Sequence, residues 1–111
     1  MSFEVRYTSD FEHSLKKIAK KHRSIRDDIS TLIQQLEQEP RTGIQIRTNL
    51  YKIRLNISGS NKGKSGGARI ITYVLTLKET VFLAEIYLKS ESETIDEDAM
   101  IKRLTEQGYI E

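Results

Sequence analysis

Positively charged side chains are concentrated in the middle of this 111-residue chain. Between Pro40 and Lys78 there is neither Asp nor Glu, whereas the chain from Glu79 onwards is acidic, so the net charge of +2 hides a strong asymmetry. The basic residues of the middle are Arg41, Arg47, Lys52, Arg54, Lys62, Lys64, Arg69 and Lys78. Cations without acidic neighbours attract anions. The sequence therefore predicts an anionic partner at this basic middle.

One basic stretch, Gly63-Lys64-Ser65, has the residue types of a phosphate-binding Walker loop. That motif requires four residues between its two glycines and a helix directly after it. Gly59 and Gly63 enclose only three residues, and a β-branched apolar run follows instead. We therefore interpret residues 58–67 as a basic hairpin loop that leads onto a strand carrying Arg69.

Aromatic and acidic side chains accompany these cations. Tyr51, Tyr73 and Tyr87 are close to them in sequence, and cations that follow phosphates beside rings that stack on bases are typical of single-stranded RNA sites. A solvated basic face is the alternative, but the recurrence of cations on successive segments favours an RNA partner. Glu85 is either a general base or an ion-pair partner that orients the arginines, and we favour the ion pair.

Other chemistries have little support. The chain has no cysteine, and His13 and His22 have no partner at metal-ligand spacing, so we expect no thiol chemistry, no metal and no cofactor. No apolar run approaches the roughly 20 residues of a membrane span, and residues 1–6 do not have the pattern of a secretion signal. These patterns predict a cytoplasmic protein without a membrane partner.

The N-terminal part reads as one strand and two helices. Residues 3–7 alternate apolar and polar, which is typical of a half-buried strand. Ser9 and Glu12 fit a capping box at the start of a helix. A second helix, beginning near Ser24, has apolar residues at helical spacing and ends before Pro40. We expect the two helices to form a hairpin with one apolar side.

In the remainder of the chain the apolar residues recur with a period of two. Residues 51–57 alternate apolar residues with Lys52, Arg54 and Asn56, residues 68–75 and 81–88 are strongly apolar, and residues 94–107 fit a short helix. The order β-α-α-β-β-β-α in a single domain, residues 1–111, predicts an α+β fold. In it the helical hairpin covers one face of an antiparallel sheet and the other face is open. Strand alternation places the basic side chains on that open face.

Three segments, taken together, resemble the RelE and HigB toxins of bacterial toxin-antitoxin pairs. They are Tyr51-Lys52-Ile53-Arg54-Leu55, Gly63-Lys64-Ser65-Gly66-Gly67-Ala68-Arg69-Ile70-Ile71 and Ile86-Tyr87-Leu88-Lys89-Ser90-Glu91. The order and spacing of the segments match, the likeness extends over nearly the whole chain, and the central run resembles the HigB-type branch in particular.

The resemblance implies a microbial RNase-like fold and a metal-independent endoribonuclease that cuts messenger RNA on the ribosome. It also implies a cognate antitoxin and contacts with ribosomal RNA. By position, Lys52 and Arg54 match the basic strand pair that contacts RNA, and Arg69 matches the arginine that holds the scissile phosphate. Lys89 matches a basic position after the last strand. Lys62 and Lys64 are expected to meet RNA backbone.

The chain also departs from the family pattern. Ile95 is close to the place where RelE-type members carry a tyrosine, Thr72 replaces a common tyrosine, and Leu88 replaces a small residue. Tyr87 and Tyr73 are the remaining candidates for proton transfer or RNA contact. Two alternatives to the toxin therefore stay open, a non-enzymatic RNA-binding module and a degenerate toxin kept as the partner of an antitoxin-like regulator.

Overall fold

The structure, a computed structural model, describes residues 2–58, 67–91 and 95–110. In these ranges the chain forms strands and helices whose bounds are β1 (Glu4–Tyr7), α1 (Ser9–Lys21), α2 (Ile25–Gln38), β2 (Ile44–Arg47), β3 (Leu50–Leu55), β4 (Ala68–Leu75), β5 (Thr80–Leu88) and α3 (Glu97–Glu106). The α+β prediction is confirmed. The predicted order was short by one strand, β2.

The strands form one sheet in the order β1-β5-β4-β3-β2. All neighbouring pairs are antiparallel except β1 and β5, which are parallel, so the prediction of a purely antiparallel sheet was wrong at this edge. The helical hairpin and the strands β2, β3 and β4 separate β1 from β5 in the chain, so the connection between these two strands is long enough for a parallel pair. β2 escaped prediction because it is a short edge strand on which Ile44 and Gln45 are both exposed, so no alternation of burial marks it.

The helical hairpin covers one face of the sheet, as predicted. Apolar residues of both helices, including Phe11, Leu15, Ile29 and Leu36, are fully or almost fully buried against β3, β4 and β5. α1 begins one residue earlier than the capping box implied, because the Thr8 side chain accepts a hydrogen bond from the Phe11 N–H. Ser24 stands before α2 but makes no capping bond to that helix.

The second face of the sheet is not open, contrary to prediction. Met100 and Leu104 of α3 are buried against Leu50, Ile71 and Tyr73 in a second apolar cluster. The helix begins at Glu97 rather than at residue 94, because Asp96 caps it by accepting from the Ala99 N–H at 3.0 Å. The part of this face around Leu50, Ile71 and Tyr73, which the alternation assigned to solvent, is therefore core.

Ion pairs hold α3 across the sheet. Arg47 of β2 pairs with Glu97 at 3.0 Å and Asp98 at 2.6 Å, and hydrogen bonds to these two carboxylates raise the pKa of the Arg47 guanidinium. Near its other end, Arg103 pairs with Asp10 of α1 at 3.0 Å. α3 is thus attached to opposite sides of the molecule.

At one end the sheet is only three strands wide. β2 pairs with β3 as far as Lys52, and β1 pairs with β5 as far as Leu83. Beyond these points β3, β4 and β5 continue without their outer neighbours. Three of the residues that the sequence predicted for the site, Arg54, Arg69 and Tyr87, lie on this narrow end.

Candidate nucleic-acid interface

Three of the predicted site residues form one row across the narrow end of the sheet. Arg54 of β3 pairs with Arg69 of β4, which pairs in turn with Tyr87 of β5. Residues directly opposite on antiparallel strands have Cα atoms about 4.5–5.5 Å apart and side chains on the same face. The predicted convergence of these side chains therefore follows from the register of the strands.

A β-bulge gives Tyr87 its direction. Ile71 pairs with Glu85 and Thr72 with Leu83, so Ala84 is an extra residue in β5. The bulge reverses the alternation of the strand, as bulges do when one strand has an additional residue. Without it, Tyr87 would point at the helical hairpin.

Gly67 fixes the start of β4 against the end of β3. Its φ of +82° is in the left-handed region, and a Cβ built on it would lie 2.5 Å from the Leu55 carbonyl oxygen. Only glycine allows the backbone to approach so closely. The position of Arg69, two residues further on, depends on this contact.

Arg69 is a buried cation, with 7% of the residue exposed. Its Nη1 donates to the Ala68 carbonyl at 3.1 Å, and among the described residues no carboxylate pairs with it. A guanidinium has five N–H donors, and a buried charge without a counter-ion is costly. The site therefore suits an anion that brings oxygen acceptors of its own, such as a phosphate.

The Tyr87 hydroxyl is buried, and among the described residues it has no hydrogen-bond partner. Burial raises the pKa of this phenol, and the nearby Arg69 charge partly opposes that rise. The hydroxyl consequently stays neutral at physiological pH and can donate a proton. A buried hydroxyl beside a buried cation, neither with a described partner of its own kind of chemistry, an acceptor for the one and a carboxylate for the other, indicates a functional site.

A second row lies beside the first. Lys52 pairs with Ile71, which pairs with Glu85. Glu85 does not form the ion pair with the arginines that we favoured from the sequence, because its Oε1 accepts from the Ile86 N–H at 2.9 Å. Glu85 and Arg69 are diagonal neighbours on the sheet, a relation in which Cα atoms lie about 7–8 Å apart.

The other predicted residues lie outside these rows. Lys89 follows β5 directly, and its N–H donates to the Gly67 carbonyl at 3.0 Å. Tyr73 is 8% exposed within the cluster beneath α3, and its contact with RNA stays a prediction. Lys62 and Lys64 lie outside the described residues.

Sequence reasoning missed the bulge at Ala84 and the role of Gly67. The bulge had a signal, because the apolar positions Val81 and Leu83 are followed by Ile86 and Leu88, a shift of one residue in the alternation. Gly67 had none, since its contact with Leu55 joins distant segments. Within the described ranges, no helix is long and apolar enough to cross a membrane, and no group of three or more acidic or histidine side chains could hold a metal.

No protein-family model matches the chain, and no curated protein matches it in sequence. Solved structures do. A double arginine-to-alanine mutant of the E. coli toxin RelE in the free state superposes with a TM-score of 0.64 at 20% identity, covering 94% of this chain and 99% of that one.

Two complexes are also similar. The intact E. coli RelBE toxin-antitoxin complex matches with a TM-score of 0.56 at 19% identity over 77% of this chain and 94% of that chain. Mutant RelE bound to a peptide of the antitoxin RelB gives a TM-score of 0.56 at 17% identity, over 93% of this chain and 94% of that one. The chain therefore has the RelE fold.

Proposed function

We propose that this protein is the toxin of a toxin-antitoxin pair, of the HigB-like branch, and that it cuts messenger RNA on translating ribosomes in the cytoplasm. The observation that carries the proposal is Arg69, a cation that is 7% exposed and lacks a described counter-ion, held between Arg54 and Tyr87 on a RelE fold. A phosphodiester supplies the anion that this row lacks.

The chemistry assigned to the site is transfer of the phosphate to the neighbouring ribose oxygen. The 2'-oxygen forms a bond to phosphorus, the bond to the 5'-oxygen breaks, and the products are a 2',3'-cyclic phosphate and a 5'-hydroxyl. Arg69 and Arg54 stabilise the additional negative charge on the phosphate oxygens, an electrostatic task that side chains alone can perform. Lys52 in the neighbouring row and Lys89 after β5 add positive charge along the RNA backbone.

Proton transfer is assigned to two side chains near Arg69. Neutral Tyr87 donates its proton to the leaving 5'-oxygen, and Glu85, through its second carboxylate oxygen, accepts the proton of the 2'-hydroxyl. A Glu85→Gln protein keeps the shape and the acceptor for Ile86, so it should bind RNA normally and cleave slowly. Unchanged cleavage by this variant would remove Glu85 from the mechanism.

A cognate antitoxin is part of the proposal. RelE is bound by RelB in two of the similar structures, and a chain of this fold that cuts messenger RNA must be restrained in the cell that makes it. Co-expression with the neighbouring small reading frame should restore growth and yield a complex on purification. Restored growth without a complex would contradict direct inhibition.

The cellular test compares induced expression of the wild type, Arg69→Ala and Arg6→Ala. Arg6 is the control because it is an arginine on β1, opposite Phe82 of β5 and away from the row of Arg69, where its side chain is exposed and paired with Glu4. Wild type and Arg6→Ala should arrest growth and shorten messages, whereas Arg69→Ala should do neither. Equal growth of all three strains with intact messages would overturn the proposal.

The second candidate is an RNA-binding module without cleavage. It is favoured by Ile95, which lies against the second apolar cluster where a RelE-type tyrosine is expected. A degenerate toxin that keeps only its antitoxin partner is a further alternative, which lacks RNA binding as well as cleavage. Salt-sensitive RNA binding without new 5' ends on translating ribosomes would select the module, and loss of RNA binding with a retained partner would select the degenerate toxin.

A further inference from the structure

A cleft lies between α1 and the edge of β5 that β1 leaves unpaired. Its volume is about 260 Å³, and Ser14, Lys17 and Ile18 of α1 line it opposite residues 85–88. Sites for drug-sized ligands measure roughly 300–1,000 Å³. The cleft is therefore of a size for one small planar group rather than for a large ligand.

The backbone of β5 presents hydrogen-bonding groups to this cleft. Lys89 donates to Gly67 of the β4 side, and in an antiparallel ladder alternate residues bond the same neighbour. Tyr87 therefore also bonds toward β4, and the peptide groups of Ile86 and Leu88 point the other way, into the cleft.

Ile86 and Leu88 each present one N–H and one carbonyl, and two of these four groups have hydrogen-bond partners. The Ile86 N–H donates to the Glu85 carboxylate at 2.9 Å, and the Leu88 carbonyl accepts from the Glu91 N–H at 3.0 Å. Among the described residues, the Ile86 carbonyl and the Leu88 N–H have none. Ile86 and Leu88 are only 2% and 6% exposed, and buried backbone groups are rarely left unpaired.

An acceptor beside a donor on a strand edge complements the edge of a nucleobase, which also carries both. An added β-strand would use the same groups, but Ser14, Lys17 and Ile18 of α1 stand opposite them in the cleft. Ile18 and Ile95 provide apolar walls for a ring, and the lining holds Lys17, a cation for an attached phosphate, together with the carboxylates of Glu85 and Glu91.

We propose that this cleft receives one unstacked purine of the RNA next to the cleavage site, recognised by the Ile86 carbonyl and the Leu88 N–H. Purines are preferred over pyrimidines because the larger ring covers more of the apolar walls. The inference rests on the proposed function, since Tyr87 both lines the cleft and belongs to the row with Arg69. It would make the cleft the source of base preference at the cut.

The test is a titration of ¹⁵N-labelled protein with AMP, GMP, CMP and UMP, followed by amide NMR. AMP and GMP should shift the Leu88 amide resonance saturably. The dissociation constants from these titrations should be at least threefold lower than those for CMP and UMP. Ser14→Phe, which fills the cleft, should abolish the shift, whereas Ser30→Phe on the exposed side of α2 should not. Lys17→Ser is a surface change that leaves the fold intact. It should weaken the binding of AMP several-fold and leave the binding of adenosine, which has no phosphate, unchanged.

Absence of a saturable shift at Leu88 with all four nucleotides would overturn the inference, as would equal binding by folded Ser14→Phe protein. Cleavage of messages is measured separately on the same proteins. Cleavage without purine binding would contradict the purine site and leave the endoribonuclease proposal standing. Purine binding without cleavage would contradict the endoribonuclease proposal and leave the purine site standing.

Discussion

Tyr87 contributes a hydroxyl that is buried, unpaired among the described residues and next to a buried arginine. Replacing it with Phe removes only that oxygen. If the hydroxyl donates the proton to the leaving group, Tyr87→Phe should lower single-turnover cleavage by roughly 10²- to 10⁴-fold. RNA affinity should be unchanged, and a cleavage rate within about twofold of wild type would contradict the assignment.

The raised pKa of Tyr87 also has a consequence for stability. Because the folded state holds its proton more tightly than the unfolded state, stability is complete below the ordinary phenol pKa of 10.0 and falls as pH rises from there through the raised pKa. Tyr87→Phe should lose less stability than wild type between pH 9 and 11, where the unfolded phenol begins to ionise. Urea titrations at these pH values measure the difference.

Two buried threonines provide a matched pair for hydrogen bonding. Thr8 and Thr72 are both 0% exposed, but Thr8 Oγ1 contacts the Leu83 and Ala84 carbonyls and caps α1, whereas Thr72 Oγ1 has no partner in the part of the chain that the structure describes. Thr8→Val should therefore destabilise the protein by roughly 1–3 kcal/mol, and Thr72→Val should stabilise it by up to about 1 kcal/mol. Chemical denaturation decides this, and similar losses in both variants would contradict it.

At the scale of elements, the strand β4 is held in place by a glycine contact that can be tested against a control. Gly67 and Gly108 have φ values of +82° and +86°, but a Cβ on Gly67 would lie 2.5 Å from the Leu55 oxygen while one on Gly108 meets nothing within 4 Å. Both alanine variants lose roughly 1 kcal/mol for the left-handed backbone. Only Gly67→Ala should lose substantially more and also lose cleavage, and equal melting temperatures would contradict the contact.

The elements also show what a single sequence can predict. The helical hairpin and the strands β3, β4 and β5 follow from periodicity, because each has a full apolar stripe. β2 and the position of α3 do not, since β2 has little buried surface and α3 docks through Met100 and Leu104 against residues far away in sequence. Tyr73 is an example. The alternation correctly placed it on the same face as Arg69, but that face was predicted to be open to solvent, whereas Tyr73 is buried.

At the scale of the whole molecule, two cations of the basic middle, Arg54 and Arg69, meet at the narrow end of the sheet. Arg54 is exposed there, so it is suited to contact a phosphate in solvent. Each phosphate contact on a single strand contributes about −0.7 to the slope of log affinity against log salt concentration. Arg54→Ala should make that slope shallower by about 0.7, and Arg6→Ala should leave it unchanged.

The candidate site was predictable where residue types carried the information and not where three-dimensional contacts did. Arg54, Arg69 and Tyr87 were identified from the sequence, and the strand register places them in one row. The absence of a described counter-ion at Arg69 and the bond between the Glu85 carboxylate and the Ile86 N–H depend on which side chains fold back on their own backbone. No pattern of residues encodes such local bonds.

The central claim is that Arg69 serves cleavage of messenger RNA on the ribosome, and a reconstituted translation reaction tests it most directly. Purified wild type, Arg69→Ala and Arg6→Ala are added to ribosomes translating one message, and new 5' ends are mapped over time. We expect discrete cuts by wild type and Arg6→Ala and a loss of about 10²- to 10³-fold in Arg69→Ala. Cuts of equal rate in Arg69→Ala, or none with folded wild-type protein, would contradict it.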